Sequence, residues 1–222
     1  MYKIIQTGSN GNAVIYNNDI MVDCGVPFNK ILPYYRKIKL LLLTHIHSDH
    51  FNARTIKKLI DYRPTLYICC GEWLVQSLVD IDVPKKNIII LPMNVSQNFG
   101  KYIITPFPAK HDVLNCGYKI TIKKEDYKIF HATDINSLQN IEAKNYDLYC
   151  LEANYDEEEL KTRLKEKEEN GEYAYEYRVL ETHLSKEECD RFLIANMGDN
   201  SECIYLHQHI DKGENDNGSI DN

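Results

Sequence analysis

The sequence Thr44-His45-Ile46-His47-Ser48-Asp49-His50 decides the fold, and it follows directly on the apolar run Leu40-Leu41-Leu42-Leu43. A short apolar run before a polar loop predicts a buried strand. Three imidazoles and one carboxylate then fall within six residues. Imidazole suits zinc and similar first-row ions, whereas calcium and magnesium prefer oxygen ligands. The pattern therefore predicts a transition-metal site in a loop at the end of a buried strand.

The spacing of these ligands indicates two ions. If the chain is still extended after the strand, His45 and His47 project on the same side and can bind one ion together. Asp49 and His50 turn away with the loop, so we expect them to bind a second ion nearby. Ions in two-metal sites lie roughly 3.5–4 Å apart. The alternative is a polar loop whose histidines cap the next helix, which the composite spacing disfavours.

The pattern His-x-His-x-Asp-His after an apolar strand resembles the signature of the metallo-β-lactamase fold. This resemblance implies an α/β protein, an αββα sandwich of two mixed sheets flanked by helices. It extends over residues 8–209, because further residues match the family's ordered series of ligands. Asp23, after apolar residues 20–22, resembles the aspartate that orients the histidine loop by hydrogen bonds without binding metal. An aspartate that opens a turn before Gly25 is the local alternative.

Three later residues resemble the remaining ligands of the family. His111 follows the strand-like residues 103–110, whose prolines suit an edge strand, and resembles the third histidine of the first ion. Asp134 resembles the carboxylate that bridges both ions. For the last ligand we prefer His209, because a strand over residues 202–209 would end there, and His207 is the alternative. The implied metal ligands are His45, His47, Asp49, His50, His111, Asp134 and His209.

Two segments resemble the YycJ/WalJ-like branch, which is related to tRNase Z-like phosphodiesterases. Residues 8–15, Gly-Ser-Asn-Gly-Asn-Ala-Val-Ile, resemble its Ser-x-Gly-Asn turn, although Asn-Gly is also an ordinary hairpin turn. Thr182-His183-Leu184-Ser185 resembles its His-Leu-Ser element before a helix, and a helix merely capped by Ser185 is the alternative.

Enzymes of that branch pair this histidine with a glutamate, and Glu152 stands in the corresponding place. A carboxylate paired with a cationic His183 would stabilise charge on a phosphate or protonate a leaving oxygen. An exposed carboxylate at a strand end is the alternative for Glu152.

The resemblance implies hydrolysis of a phosphodiester by a hydroxide that bridges two divalent ions, zinc first, with manganese or iron as alternatives. The implied catalytic residues are Asp49, Asp134, Glu152 and His183, with one of the two aspartates as proton acceptor. We expect an exonuclease-like nuclease that acts on DNA rather than RNA. A hydrolase of cyclic nucleotides or other small phosphodiesters is the alternative. A β-lactamase is disfavoured, because the commonest dinuclear β-lactamases have a cysteine in place of the bridging aspartate, and the intact ligand series disfavours a binding module without catalysis.

Composition predicts one soluble domain. The 222 residues are 43% hydrophobic, which suffices for a single core over residues 1–210, and residues 211–222 are predicted to be a disordered tail. Seven scattered cysteines without a Cys-x-x-Cys pair, and no apolar run long enough to span a membrane, predict a cytoplasmic protein. The net charge of −7 argues against a generally basic surface for nucleic acid. The oligomeric state is left open, a homodimer included.

Strands and helices are predicted to alternate along the chain, as expected for two sheets between helical layers. A first short helix is predicted to begin at Pro27. Strands are predicted at residues 2–6, 13–16, 20–23, 40–44, 65–69, 87–91, 102–107, 117–122, 127–132, 147–152 and 202–209. Further helices are predicted at residues 53–62, 72–79, 156–168 and 185–196, the third of them acidic and solvated.

Overall fold

The structure, a computed structural model, describes residues 1–208. The predictions for His209 and for the tail at residues 211–222 lie outside the described residues. The strands are β1 (Tyr2–Gln6), β2 (Ala13–Tyr16), β3 (Ile20–Val22), β4 (Leu40–Leu43), β5 (Tyr67–Cys70), β6 (Ile88–Ile90), β7 (Gln97–Phe99), β8 (Tyr102–Ala109), β9 (Asn115–Ile122), β10 (Tyr127–Ala132), β11 (Leu148–Glu152) and β12 (Glu202–Leu206). The helices are α1 (Phe28–Ile31), α2 (Ala53–Tyr62), α3 (Val75–Asp80), α4 (Glu157–Asn170), α5 (Glu176–Thr182) and α6 (Lys186–Asn196).

The strands form two six-stranded mixed sheets, which confirms the predicted αββα sandwich. The first sheet has the order β1-β2-β3-β4-β5-β6, antiparallel from β1 to β3 and parallel from β3 to β6. The second sheet has the order β12-β11-β10-β9-β8-β7, parallel from β12 to β10 and antiparallel from β10 to β7.

The leucine run of β4 is continuous because both faces of its sheet are covered. Leu40 and Leu42 join the apolar cluster that contains residues of both sheets, while Leu41 and Leu43 join the cluster shared with α2 and α3. Successive side chains of a strand point to opposite faces, so a strand buried on both faces reads as an unbroken apolar run. Full burial of such a side chain is worth about 1.5–3 kcal/mol. A third cluster joins the second sheet to α6.

Side-chain caps begin three of the helices. The Asn52 side chain accepts a hydrogen bond from the backbone N–H of Thr55 at 3.0 Å, which confirms the predicted start of α2. Asp156 caps α4 and Ser185 caps α6 in the same way. Each cap satisfies an N–H that has no partner within the helix. The acidic α4 is not wholly solvated, because it buries two leucines in its surroundings.

Strands β7, β8 and β12 and helix α5 differ from the predictions. Strand β8 is not an edge strand along its whole length, since β7 pairs with its first residues, Tyr102 to Ile104. Its prolines, Pro106 and Pro108, lie beyond the end of β7. On the edge of β8 that β7 leaves uncovered, the missing N–H of a proline costs no strand pairing. Strand β7 and helix α5 were not predicted.

Strand β12 ends at Leu206, three residues before the predicted end. Its pairing with β11 stops at Glu152, and the backbone N–H of His207 donates to Thr7 Oγ1 at 2.7 Å instead of continuing the sheet. His207 also has a φ of 52°, which a strand does not allow. The premise that placed the strand end at His209 is therefore wrong.

The seven cysteines are free thiols, and six of them are buried. Burial raises the pKa of Cys150 to about 12, so this thiol stays protonated. Within residues 1–208, no helix has the length and apolar character needed to cross a bilayer. The cytoplasmic location stays a prediction.

Candidate metal centre

The predicted site residues meet at one edge of the sandwich, where strands of both sheets end. Asp23 follows β3, His45 follows β4, and Asp134 lies just beyond β10. Glu152 is the last residue of β11, and His207 is the first residue after β12. Because these strands run in the same direction within each sheet, their carboxyl ends place side chains of distant sequence positions together.

Three histidines, His45, His47 and His111, direct ring nitrogens at one point. His47 Nδ1 lies 3.2 Å from His45 Nε2 and 3.3 Å from His111 Nε2. Each ring has a polar partner at its other nitrogen: Thr44 Oγ1 at 2.9 Å for His45, Asp112 Oδ1 at 3.3 Å for His47 and the Thr182 carbonyl at 2.9 Å for His111. With protons on these outer nitrogens, three lone pairs converge, an arrangement that fits a cation.

A second group of ligands consists of Asp49, His50 and His207. Asp49 Oδ2 lies 3.5 Å from His50 Nε2 and 3.5 Å from His207 Nε2. His50 and His207 are buried, while Asp49 is partly exposed at the cleft. Ligand atoms of the three residues lie within 4.8 Å of one another, which is close enough to surround one ion.

Asp134 lies between the two groups. Its Oδ2 is 2.8 Å from His50 Nε2, and its Oδ1 is 3.6 Å from His207 Nε2 and 3.8 Å from His111 Nε2. The side chain is buried, yet Oδ2 has no well-aligned hydrogen-bond donor among the described residues. A buried carboxylate oxygen without a donor is costly. Its position between two imidazole groups therefore fits an oxygen that two cations would share.

The charges of the site also favour cations. Burial lowers the pKa of His45 to about 2, so this imidazole is neutral and its lone pair is available. Burial disfavours charge on His207 as well, but Asp134, Asp49 and Glu152 outweigh it and raise its pKa to about 10. A metal ion that binds such an imidazole must displace its proton, so metal binding should release protons.

Asp23 contacts the histidine loop and belongs to none of the candidate ligand groups. Its carboxylate accepts hydrogen bonds from Thr44 N at 2.9 Å and from Thr44 Oγ1 at 2.9 Å, and lies 2.7 Å from His50 Nδ1. A proton on Nδ1 directs the Nε2 lone pair of His50 towards Asp134 and Asp49. Asp23 therefore fixes both the start of the loop and the orientation of one ligand.

Positive backbone φ angles occur at three site residues: 59° at Asp23, 52° at Asp134 and 52° at His207. Such angles are uncommon outside glycine and cluster at functional sites, although aspartate and histidine tolerate them better than branched residues. Each of these residues turns the chain out of a strand and sends its side chain into the site. The backbone turns that end these strands therefore also direct the three side chains into the site.

The ligand loop is packed tightly against two other loops. The backbone N–H of Asn12 donates to the Asp49 carbonyl at 2.6 Å, and the backbone N–H of Gly25 donates to the Asn12 carbonyl at 2.9 Å. A Cβ at Gly25 would lie 1.7 Å from the Asp49 carbonyl oxygen. Only a residue without a side chain therefore fits beneath the loop that carries His47, Asp49 and His50.

We expect Gly25→Ala to lower the free energy of unfolding by about 1–3 kcal/mol or more, because the added methyl group meets backbone atoms that cannot rotate away. Chemical denaturation measures this change, and the loop shift should also weaken metal binding in equilibrium dialysis. Gly198→Ala is the matched control, since the nearest atoms to its Cβ would be side-chain atoms of Asn145 and Ser201, none closer than 3.0 Å. Equal stability of the two variants would contradict the close packing.

Glu152 and His183 form a hydrogen-bonded pair beside the ligands. His183 Nδ1 lies 2.6 Å from Glu152 Oε1, and Glu152 Oε2 accepts a hydrogen bond from the backbone N–H of Ile135 at 2.8 Å. Glu152 is fully buried and His183 is partly exposed. The pair lies close to Asp134 and His207 and could also contribute to an ion group with them. The direct contact of the pair favours a role in holding and moving a proton.

A cleft of about 310 Å³ opens over the cluster. Asp49, His183 and His207 line its floor, and Tyr175 and Arg178 line the wall formed at α5. Arg178 Nη2 is 2.6 Å from Asp112 Oδ2 and brings a positive charge to a cleft rich in carboxylates. Sequence reasoning missed Asp112, Arg178 and α5. The position of Asp112 directly after His111 was the one signal available.

All predicted site residues within residues 1–208 lie in this cluster, while His209 lies outside the described residues. His207, the alternative for the last ligand, is in the cluster. The Asn154 amide holds it, with Nδ2 at 3.0 Å from His207 Nδ1 and 2.8 Å from the His207 carbonyl oxygen. The ligand roles of all these residues stay predictions.

Two mixed sheets between helices, with this His/Asp cluster at the strand ends, define a metallo-β-lactamase-fold protein, a class that includes metal-dependent hydrolases. The chain belongs to the family described as the beta-lactamase superfamily domain, whose sequence model matches residues 18–191. Within the family, the YycJ/WalJ-like placement stays a prediction. A search by sequence among curated proteins finds no match.

Solved structures of low sequence identity share the fold. The metallo-beta-lactamase fold protein YhfI from Bacillus subtilis is 17% identical, with a TM-score of 0.68 over 93% of this chain and 85% of that one. The short form of human tRNase Z is 14% identical, with a TM-score of 0.65 over 93% and 92%. A diphosphatase from the PhnP family is 13% identical, with a TM-score of 0.65 over 93% and 85%.

Proposed function

We propose that the protein is a phosphodiester hydrolase that depends on two divalent ions, with zinc favoured and manganese or iron as alternatives. The observation that carries this proposal is the position of the buried Asp134 between two imidazole groups, with an oxygen that has no well-aligned donor within residues 1–208. We assign His45, His47 and His111 to one ion, Asp49, His50 and His207 to the other, and Asp134 to both. When bound, the ions would supply Lewis-acid activation of water and neutralise charge on the phosphate.

The chain's own residues would orient the substrate and move protons. Asp49 and Asp134 are carboxylates within the cluster that could accept a proton from an attacking water. His183 is held at Nδ1 by Glu152, so Nε2 is the nitrogen that can give a proton to the leaving oxygen. Arg178, at the wall of the cleft, could contact a phosphate oxygen and neutralise its charge.

Among phosphodiesters we favour nucleic acid, as an exonuclease-like activity with DNA before RNA, and this finer assignment rests on the resemblance to YycJ-like proteins. Two of the neighbouring structures are named as a tRNase and a diphosphatase, which supports phosphate chemistry more broadly. The second candidate is hydrolysis of a cyclic nucleotide or another small phosphodiester. The limited volume of the cleft, about 310 Å³, favours that candidate.

The deciding experiment compares substrates on protein loaded with zinc or manganese. The panel contains bis(p-nitrophenyl) phosphate, end-labelled DNA and RNA, and cyclic nucleotides, with His45→Ala as the inactive control. Shortening of DNA from an end would support the exonuclease. Turnover of a cyclic nucleotide alone would move the function to the second candidate, and no turnover of any phosphodiester by metal-loaded protein would contradict the proposal.

Arg178→Ala is expected to raise KM for a phosphodiester about 10-fold or more and to leave the bound metal unchanged. The reason is the loss of a charge-assisted hydrogen bond, worth about 1.5–3 kcal/mol. Steady-state kinetics with bis(p-nitrophenyl) phosphate, beside metal analysis, checks this. Arg191→Ala is the matched control, because this exposed arginine on α6 lies outside the cleft. An unchanged KM in Arg178→Ala would rule out its contact with substrate.

A further inference from the structure

A second cavity lies at the opposite end of the strands from the metal centre. Its volume is about 520 Å³, and its lining includes the first residues of β4, β5 and β8, which are Leu40, Tyr67 and Tyr102. His45 follows β4, five residues after Leu40, which is roughly 17 Å along an extended chain at about 3.3 Å per residue. Among the described residues, none lines both cavities. The volume lies within the range of about 300–1,000 Å³ that small-molecule sites occupy.

This cavity, here called the basic cavity, has more positive than negative charge. Lys39, Arg63 and Lys101 line it. Both lysines share one carboxylate, Asp19, whose Oδ2 lies 2.7 Å from Lys101 Nζ and 3.7 Å from Lys39 Nζ. The Tyr102 hydroxyl also donates to Asp19. Because one carboxylate is shared by two lysines, the basic cavity keeps a surplus of positive charge, although the net charge of the whole chain is −7.

Arg63 adds a guanidinium to the two lysines of the basic cavity. Its Nη2 donates to the Ile38 carbonyl at 3.3 Å, and its buried Nε has no hydrogen-bond partner among the described residues. Within residues 1–208, no carboxylate forms an ion pair with this guanidinium. Arg63 lines the cavity, so the other N–H groups of its guanidinium can donate to an anionic oxygen there.

Aromatic rings form the rest of the lining. Tyr67 is 47% exposed, and Phe99 is partly buried beside the buried Tyr102. Exposed aromatic rings next to lysine and arginine are the combination that stacks nucleobases and holds their phosphates. A simple anion would use the charges but leave the rings without a partner.

We propose that the basic cavity binds a nucleoside phosphate, with the base against Tyr67 and Phe99 and the phosphate held by Arg63 and Lys101. The ligand is either a free nucleotide or one unit of a single strand, since both present a planar base and an anionic oxygen. This site goes beyond the proposed hydrolytic function and does not depend on the substrate that the metal centre cleaves.

Isothermal titration calorimetry of the full chain in EDTA tests the proposal with AMP, adenosine, inorganic phosphate and a six-nucleotide oligodeoxythymidylate. We expect AMP to bind more tightly than adenosine or phosphate alone. Tighter binding of the oligonucleotide than of AMP would identify a strand as the source, and the reverse would identify a free nucleotide.

Arg63→Gln and Tyr67→Ala should each weaken AMP binding about 10-fold or more, because each removes one of the two kinds of contact. Lys57→Gln, on α2 but outside the cavity, is the matched control and should leave AMP binding unchanged. His45→Ala should also leave it unchanged, which separates this site from the metal centre. If Arg63→Gln does not fold, Tyr67→Ala tests the proposal instead, because Tyr67 is half-exposed.

Three results would overturn the proposal. AMP binding that survives both Arg63→Gln and Tyr67→Ala would place the ligand elsewhere, and AMP binding that is lost in His45→Ala would place it at the metal centre. Inorganic phosphate that binds as tightly as AMP would reduce the cavity to a site for any anion.

Discussion

Asp134→Ala is expected to remove bound metal and hydrolytic activity together. Asp134 is the buried carboxylate that both imidazole groups approach, at 2.8 Å from His50 Nε2 and 3.8 Å from His111 Nε2. Loss of a residue that merely supports a ligand typically costs 10- to 100-fold in affinity or activity, so loss of a shared ligand should cost more than about 100-fold. Metal analysis after dialysis and kcat/KM for bis(p-nitrophenyl) phosphate measure the two effects.

The backbone at Asp134 requires a second variant. Its φ of 52° strains an alanine, whereas asparagine tolerates that angle and keeps the shape of the side chain. Asp134→Asn should therefore preserve the circular dichroism spectrum and the unfolding transition and still lose metal and turnover. Full turnover in either variant would disprove the shared carboxylate.

His183→Ala is expected to keep both metals and to lose turnover. The side chain contacts Glu152 at 2.6 Å and lines the cleft, and it does not belong to either of the ion groups assigned above. A general acid contributes about 100- to 10,000-fold to the rate, so kcat should fall by that factor for a substrate whose leaving oxygen needs a proton. Metal content is measured on the same preparations.

The leaving group separates proton transfer from a structural role of His183. p-Nitrophenolate leaves without protonation, so His183→Ala should slow bis(p-nitrophenyl) phosphate much less than a dinucleotide. Glu152→Gln keeps the size of the side chain and should show the same dependence on the leaving group. An equal loss on both substrates, or a loss of metal, would show that His183 supports the site rather than protonating the leaving oxygen.

Much of the fold was readable in the sequence because local patterns encode it. The run Leu40–Leu43 indicated a strand covered on both faces, and each face proves to pack in its own cluster. Ser185 marked the start of α6 through a hydrogen bond to the next turn, and Asn52 caps the predicted start of α2 in the same way. By contrast, α5 has no side-chain cap and buries only two residues, so little in its sequence marked it.

In the candidate site, too, some residues could be predicted from local sequence and others could not. The histidine loop is one contiguous pattern, and His111 and Asp134 each follow a strand-like run. The choice between His207 and His209 could not be made locally. It depends on where β12 stops pairing with β11, and that point is set by the bond from His207 N to the distant Thr7.

The sequence by itself determined most of the strands, the family and a set of candidate metal ligands, because strand periodicity and ligand spacing act over a few neighbouring residues. Only the tertiary structure decided that His207 enters the site, that Arg178 on α5 faces Asp112 in the cleft, and that Arg63 and Tyr67 share a cavity with Lys101. Those contacts join residues far apart in the chain. Their geometry is set by the packing of two sheets, which no local pattern specifies.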